Sequence, residues 1–384
     1  MNMVLLAMSS ISDGDAVQKT VKPVFIGSDV YRRRAYGRNH PLAVQRVETA
    51  VDLARQLGWM GEAWRESPVA SRQQLEVFHT PDYIAALHNA EIQGITPAAA
   101  RQTYHIGTSE NPVFPGVFER ASTSVGGSIL AAQLALEGRI AYHPAGGTHH
   151  GRPNRASGFC YFNDPVFAIL TCLNAGCARV AYVDLDAHHG DGVEDAFASD
   201  PRVVTISVHE AGRWPGTGSA GDRRYGQAWN FPVPRHINDS EFNFLIEAAV
   251  AHLVERFRPE VVVIVCGADC LKGDPLSSMD LSNGALWNAV VRLAGFAPAA
   301  VVLGGGGYNP WTVGRAWAGL WGRLNGFAVP ELLPLPAQTL LAGLSCDLVD
   351  EEDIRPEWLV TLADAPNLGP IRTEFRDLAR GALT

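Results

Sequence analysis

From Arg139 onward one pattern repeats: a short apolar run, a polar cluster at its end, then a helix-like stretch. Arg139-Ile-Ala-Tyr142 ends in His143-Pro-Ala-Gly-Gly-Thr-His149-His150-Gly151, and a helical stretch follows from Phe162 to Gly176. Val180-Ala-Tyr-Val-Asp184 runs into Leu185-Asp186-Ala-His188-His189-Gly190-Asp191-Gly192. Val203-Val-Thr-Ile-Ser-Val208 stops at His209, and Glu260-Val-Val-Val-Ile-Val-Cys266 stops at Gly267-Ala-Asp269. Helical stretches at Glu241–Phe257 and Ser282–Leu293 flank that strand, and Ala299-Ala-Val-Val-Leu303 closes the series with Gly304-Gly-Gly-Gly307-Tyr308. Near-continuous apolar strands alternating with helices imply a parallel sheet covered on both faces. Such sheets bind ligands beyond the carboxyl ends of their strands, and every polar cluster here falls at such an end. The expected fold is α/β, a single-domain open parallel sheet with helices on both faces.

The flanking regions read differently. Residues 1–22 are expected to be a loose tail, 23–325 the main domain, and 326–384 a wrap on the same domain that ends in a short helix from Ile371. In the wrap, Pro330, Pro334, Pro336, Pro356 and the acidic run Asp347–Asp353 interrupt regular structure. Within the main domain, Val24–Ile26 reads as a strand and Ser28–His40 as a loop. The spacing of Val44, Val47, Val51 and Leu57 predicts one amphipathic helix over Pro41–Leu57. Pro81–Glu91 reads as a second helix, Gly107–Pro115 as a turn-rich loop, and Ala121–Leu136 as a small-residue helix that packs closely. Arg32, Arg33, Arg34 and Arg38 in the early loop are read as a solvated face, the alternative being a rim that meets an acidic partner.

Composition narrows the function classes. The 384 residues are 47% hydrophobic and 18% charged, which describes a globular chain with a substantial core. A net charge of −9 argues against a nucleic-acid partner and suits, weakly, a cationic substrate. Six cysteines (160, 172, 177, 266, 270, 346) form no C-x-x-C pair and sit in apolar runs, as reduced residues of a cytoplasmic protein do. No stretch reads as a secretion signal, and none approaches the roughly 18 apolar residues of a membrane span.

The densest chemistry lies in Asp184–Asp191. Asp184, Asp186 and His188 alternate, so an extended segment presents them on one side. Together with Asp269, the pair Asp186 and His188 offers a metal two carboxylates and one imidazole while leaving positions open for water and a substrate oxygen. Zinc is the first candidate, and the oxygen-rich set also suits Fe(II) or Mn(II). His149 and His150 stand near two further carboxylates, Asp184 and Asp191; His–Asp pairs beside a metal form an acid/base apparatus. Tyr308, set after four glycines, can donate to a developing oxyanion. A phosphate-cradling role for those glycines lacks the Lys-Ser/Thr of a P-loop and the G-x-G-x-x-G spacing.

Taken together, His143–Gly151, Gly158-Phe-Cys-Tyr-Phe-Asn-Asp164, Tyr182–Gly192, Gly267-Ala-Asp269 and Gly304–Tyr308 resemble the zinc-dependent histone deacetylase family, most closely its bacterial class I-like and acetoin-utilization members. The resemblance spans roughly Arg46 to Tyr308 and implies the arginase/deacetylase fold, with 23–325 as the deacetylase catalytic domain. It implies zinc at Asp186, His188 and Asp269, pairs His149 with Asp184 and His150 with Asp191, and makes Tyr308 the carbonyl-polarising residue. It lines an acyl-lysine channel with Gly158, Phe159, Trp214 and Leu276, and places Arg46 on an exit path for the released acid. A potassium ion is implied beside Asp184 and the backbone around Asp186, His188, Ser207 and Val208. His150 is expected to carry both proton transfers and His149 to act electrostatically.

Two positions depart from the family pattern. Trp214 stands where phenylalanine is usual, and Glu110 takes a rim position where an aspartate grips the substrate backbone. The expected activity is hydrolysis of a short acyl amide on lysine, in a peptide or protein, or on a small amine. Acetylpolyamine hydrolysis is the alternative substrate reading. A non-catalytic acyl-lysine binder would not need Tyr308 and both His–Asp pairs, and an arginase-type two-metal site would need more carboxylates.

Overall fold

The computed structural model describes residues 22–33, 36–37 and 40–383. Eight strands make one sheet: β1 (Val24–Gly27), β2 (Trp64–Glu66), β3 (Ile140–His143), β4 (Val180–Asp184), β5 (Val203–Glu210), β6 (Ala228–Val233), β7 (Val261–Val265) and β8 (Ala299–Leu303). Their order is β2-β1-β3-β8-β7-β4-β5-β6, and every pairing is parallel. The central strands β4, β7 and β8 are buried along their whole length, the reason their sequences read as unbroken apolar runs.

Register brings the polar clusters together. Asp184 at the end of β4 lies opposite Ser207 on β5 and Val265 on β7, while His143 of β3 lies opposite Leu303 of β8. The segments that leave β3, β4, β7 and β8 therefore emerge side by side from one edge of the sheet. Alternate side chains feed two cores. Ala181 and Val183 join a core with the helices Val47–Gln56, Asn283–Ala294 and Pro310–Leu324; Val180 and Tyr182 join another with Val117–Leu136 and Asp164–Asn174. Ala131, Ala132 and Ala135 give the helix Val117–Leu136 its close approach to the second face, as its small residues suggest.

Several elements differ from expectation. Pro41–Leu57 is not one helix: a 3₁₀ turn at Pro41–Ala43 gives way to extended backbone at Val44, and the helix spans Val47–Gln56. The expected helix over Glu241–Phe257 is helical throughout but contains a π turn at Ile246–Val250. The strands β2 and β6 and the helix Pro310–Leu324 carry no clear sequence signal. Both strands are sheet edges, and Pro232 in β6 is tolerated there. Of the early arginines, Arg32 bonds both oxygens of Asp52 at 2.9 Å, whereas Arg34 and Arg38 lie outside the described residues, as does most of the expected tail. No helix among the described residues is long and apolar enough to cross a membrane.

Residues 326–384 are more regular than expected, with helices at Leu335–Ala342, Pro356–Val360 and Thr373–Leu383. Buried anchors hold them to the sheet domain. The Arg315 guanidinium, with no exposed surface, pairs with Asp364 at 2.8 Å, and its Nε donates to the Thr361 carbonyl at 2.7 Å. Trp311 donates to the Leu341 carbonyl and stacks on Trp358, and Arg372 grips Glu241 through two nitrogens. Removing one partner of a buried ion pair strands the other. Arg315→Ala is expected to cost about 3 kcal/mol in urea denaturation and to make the C-terminal segment the first site of limited proteolysis. An unchanged midpoint and digestion pattern would show that the wrap is held by something else.

The loop that carries His149 and His150 is pinned from beneath. Buried His79 donates from Nδ1 to the Arg152 carbonyl at 3.0 Å and accepts the Asn163 N–H at Nε2, at 3.1 Å. The Asn163 side chain in turn donates to the carbonyls of His149 and Gly151. Both ring nitrogens of His79 are committed as a neutral imidazole, and burial holds its pKa down at about 4. The unfolded chain, with an ordinary histidine pKa near 6.5, takes up this proton first as pH falls. Stability from His79 is thus present above pH ~6.5 and is lost towards pH ~4, by an amount on the order of 3 kcal/mol. Thermal melts between pH 7.5 and 4.5 should fall in Tm, and less steeply in His79→Gln; identical slopes would remove His79 from this role.

Candidate active site

Beyond β4 the chain turns sharply through Asp186 and His188 before the short helix Asp191–Phe197. Asp269 arrives from the 3₁₀ turn after β7, Ala268–Cys270. One donor atom from each of Asp186, His188 and Asp269 lies within 4.8 Å of the others, and all three residues are buried. His188 Nδ1 is 3.1 Å from Asp186 Oδ1 and 2.9 Å from Asp269 Oδ2. Backbone N–H groups orient the carboxylates: Gly306 donates to Asp186 Oδ2 at 2.6 Å and Ala187 to Asp269 Oδ1 at 2.9 Å. A side chain at position 306 is impossible without rearrangement, since its Cβ would lie 2.1 Å from Asp269 Oδ2.

The charges at this point call for a cation. Burial, reinforced by the charge of Asp186, pushes the Asp269 carboxyl up to about 6. Burial opposes protonation of His188, yet its hydrogen bonds to the two aspartates lift it to about 10. Two buried carboxylates and an imidazole converging on one point are the donor set of a divalent metal with open positions, and the fit is good.

The two histidines fall into the expected pairs. His149 Nδ1 is 2.7 Å from Asp184 Oδ2, and His150 Nδ1 is 2.8 Å from Asp191 Oδ1. Their environments push them apart. Burial works against a charged His149, but Asp184 and Asp186 outweigh it and raise its pKa to about 9. Burial and the neighbouring His149 charge push His150 down to about 3. One imidazole is therefore held charged and the other neutral, the arrangement that divides electrostatic and base roles. Asp191 is itself braced by Arg152, which also pairs with Asp195.

A mouth of about 650 Å³ opens onto this set, walled by Phe159, Trp214, Leu276, Glu110 and Tyr308. The Phe159 ring is 5.9 Å from that of Tyr308, and the Trp214 ring stands edge-on to His150 at 4.6 Å. Gly158 makes room for Trp214: it holds a positive φ of 54°, and a Cβ there would lie 2.4 Å from the indole. Glu110 sits on the rim, its carboxylate accepting the Gly158 N–H at 3.2 Å. Tyr308 is aimed by its own N–H, which donates to Asp274 at 2.6 Å.

Behind the metal set lies a second cavity of about 100 Å³, bordered by Tyr31, Arg46, Ser124, His149 and Tyr308. Arg46 donates to the Gly305 carbonyl there, with its guanidinium 5.0 Å from the Trp317 ring. Beside it, Asp184 accepts the Asp186 N–H at 3.1 Å and the Tyr182 hydroxyl at 2.6 Å, with Ser207 opposite on β5 and Val208 next along. The candidate metal, catalytic and channel residues thus gather beyond the carboxyl ends of the strands.

Sequence reasoning missed the residues that hold these in place. Buried Asp164 ends a quoted motif and accepts the N–H groups of Gly147 and Thr148, fixing the approach to His149. Asp274 follows Asp269 by five residues, and only the fold shows that it aims Tyr308. At the mouth, Glu210 takes both ends of the Arg213 guanidinium at 2.6 and 2.8 Å, and Arg235 donates to Ser278 at 2.7 Å. Glu210 and Arg213 apart, these partners lie 16 to 43 residues from one another, beyond any local motif.

Comparison with known proteins agrees with this geometry. A sequence profile described as the histone deacetylase domain matches residues 40–324. The acetoin utilization protein AcuC of Bacillus subtilis is 37% identical over 328 residues, covering 81% of this chain and 84% of its own. The histone deacetylase RPD3 of Saccharomyces cerevisiae is 36% identical over 332 residues, 82% of this chain and 76% of its own. The crystal structure of an HDAC homologue from Aquifex aeolicus superposes with a TM-score of 0.90 at 36% identity, covering 95% of this chain and all of the other. An HDAC homologue complexed with SAHA matches to the same degree. The chain belongs to the histone deacetylase family.

Proposed function

We propose that the protein is a metal-dependent amidohydrolase that removes acetyl or another short acyl group from acylated lysine, with 23–325 as its catalytic domain and 326–384 packed as a support. The observation that carries this reading is the convergence of Asp186, His188 and Asp269 beside two His–Asp pairs and Tyr308 at the base of one aromatic-walled mouth. Asp186, His188 and Asp269 would hold zinc, and the same donors suit Fe(II) or Mn(II). When bound, the ion supplies Lewis acidity to an amide carbonyl and to a water beside it.

The protein's own groups do the rest. Phe159 and Trp214 exclude water from the acyl-bearing stem and direct the amide at the buried end of the mouth. His150, whose Nδ1 is committed to Asp191, takes the proton of the attacking water and delivers it to the leaving amine. His149, held charged by Asp184, stabilises the developing negative charge. Tyr308 donates its hydroxyl hydrogen bond to the tetrahedral oxyanion. Arg46, facing the inner cavity, draws off the released carboxylate. Potassium is our assignment for the region where Asp184 meets Ser207 and Val208. Six unpaired cysteines support a reducing, cytoplasmic location.

Hydrolysis of a fluorogenic acetyl-lysine amide, abolished by a chelator and restored by zinc, tests the activity. Activity that survives complete metal removal would contradict it. Tyr308→Phe should lower turnover by about 10²–10³, as for loss of an oxyanion donor; wild-type turnover in that variant would exclude the role given to the hydroxyl.

A further inference from the structure

The rim of the mouth is electrically lopsided. On the side of Trp214 and Leu276, two guanidinium groups share one carboxylate. Arg213 spends its donors on Glu210, on the Leu276 carbonyl at 2.7 Å and on Ser278 Oγ at 3.2 Å. The Arg235 side chain donates to the same Ser278 Oγ at 2.7 Å, and its Nε stands 3.7 Å from Glu210, whose charge Arg213 already meets. Its side chain is 68% exposed and faces the cavity. The wall therefore sets two guanidinium groups against the single Glu210 carboxylate, and Arg235, drawn to Ser278 at Nη2 and towards Glu210 at Nε, keeps the rest of its exposed fork for the mouth. Across the opening, Glu110 supplies the rim's negative charge, partly engaged by the Gly158 N–H.

We propose that Arg235 forms an anion subsite at the channel mouth, so that favoured substrates carry a carboxylate close to the acyl-bearing chain. This rests on the deacetylase reading above. Two sources supply that chemistry: the α-carboxylate of a free or chain-terminal acyl-lysine, or an acidic side chain beside an internal one. An acylated polyamine brings a second ammonium group into the same space and is repelled. A guanidinium fork binds a carboxylate through paired hydrogen bonds, and Arg235, already steered by Ser278, gives up little freedom to do so. Exposure to solvent keeps the effect modest and sensitive to salt.

The test compares kcat/KM across matched substrates: acetyl-lysine followed by aspartate, alanine or lysine, acetyl-lysine as free acid and as carboxamide, and N-acetylputrescine. The wild-type protein should prefer aspartate over lysine by on the order of fivefold at low salt, with the preference shrinking in 0.5 M NaCl. Arg235→Gln should erase it and Arg235→Glu should invert it. Preference for the free acid over the carboxamide identifies the α-carboxylate as the source; preference confined to the aspartate peptide identifies the side chain. Fluorescence anisotropy with labelled versions of the same peptides separates this inference from the activity. Charge-selective binding without turnover would support the subsite while overturning the deacetylase reading. Equal binding of acidic and basic peptides, or a selectivity unaltered in Arg235→Gln, would overturn the subsite whatever the turnover.

Discussion

Asp186 and Asp269 place two carboxylates out of water with their oxygens converging on His188, and such an arrangement is costly unless each charge is answered. The surrounding architecture answers it. Backbone N–H groups of Ala187, His188 and Gly306 point at the carboxylate oxygens, and glycine at 306 allows the approach. This requires that β4, β7 and β8 end level, which their parallel register ensures. The apolar length of those strands sets the position of the charges at their tips.

Outward from the metal set, each functional group is held by a second and often a third. His150 is oriented by Asp191, and Asp191 by Arg152. The loop that presents both histidines is tied by Asn163 and His79 below and by Asp164 at its start. Tyr308 is aimed by Asp274, and the loop of Asp274 leans on the C-terminal segment, where the Trp358 ring covers Gly273 and leaves no room for a side chain there. The C-terminal segment thus bears on the geometry of the tyrosine as well as on stability, although none of its described residues lines the mouth.

Much of this was legible because the central strands are simple. Unbroken Val, Ile and Ala runs ending in Asp, His or Gly announce buried parallel strands and mark their tips, so the fold class and the cluster of Asp186, His188, His149, His150, Asp269 and Tyr308 could be read together. The edges were not legible. β2 is three residues long and largely exposed, and β6 contains a proline, so neither shows the central pattern. The helix Pro310–Leu324 is buried nearly all round and carries Gly314, Gly319 and Gly322, residues that lower helix propensity and read as breakers in a sequence. Supporting pairs such as Arg315 with Asp364 or His79 with Asn163 join residues 49 and 84 positions apart and leave no trace in spacing.

Metal stoichiometry probes the Asp186–His188–Asp269 centre most directly. Purified protein stripped of metal and titrated with zinc by calorimetry should bind one tightly held ion per chain, and Asp269→Ala should lose that binding while retaining its far-UV circular dichroism. Two equivalent ions per chain, or binding undiminished in a folded Asp269→Ala protein, would contradict the proposed centre.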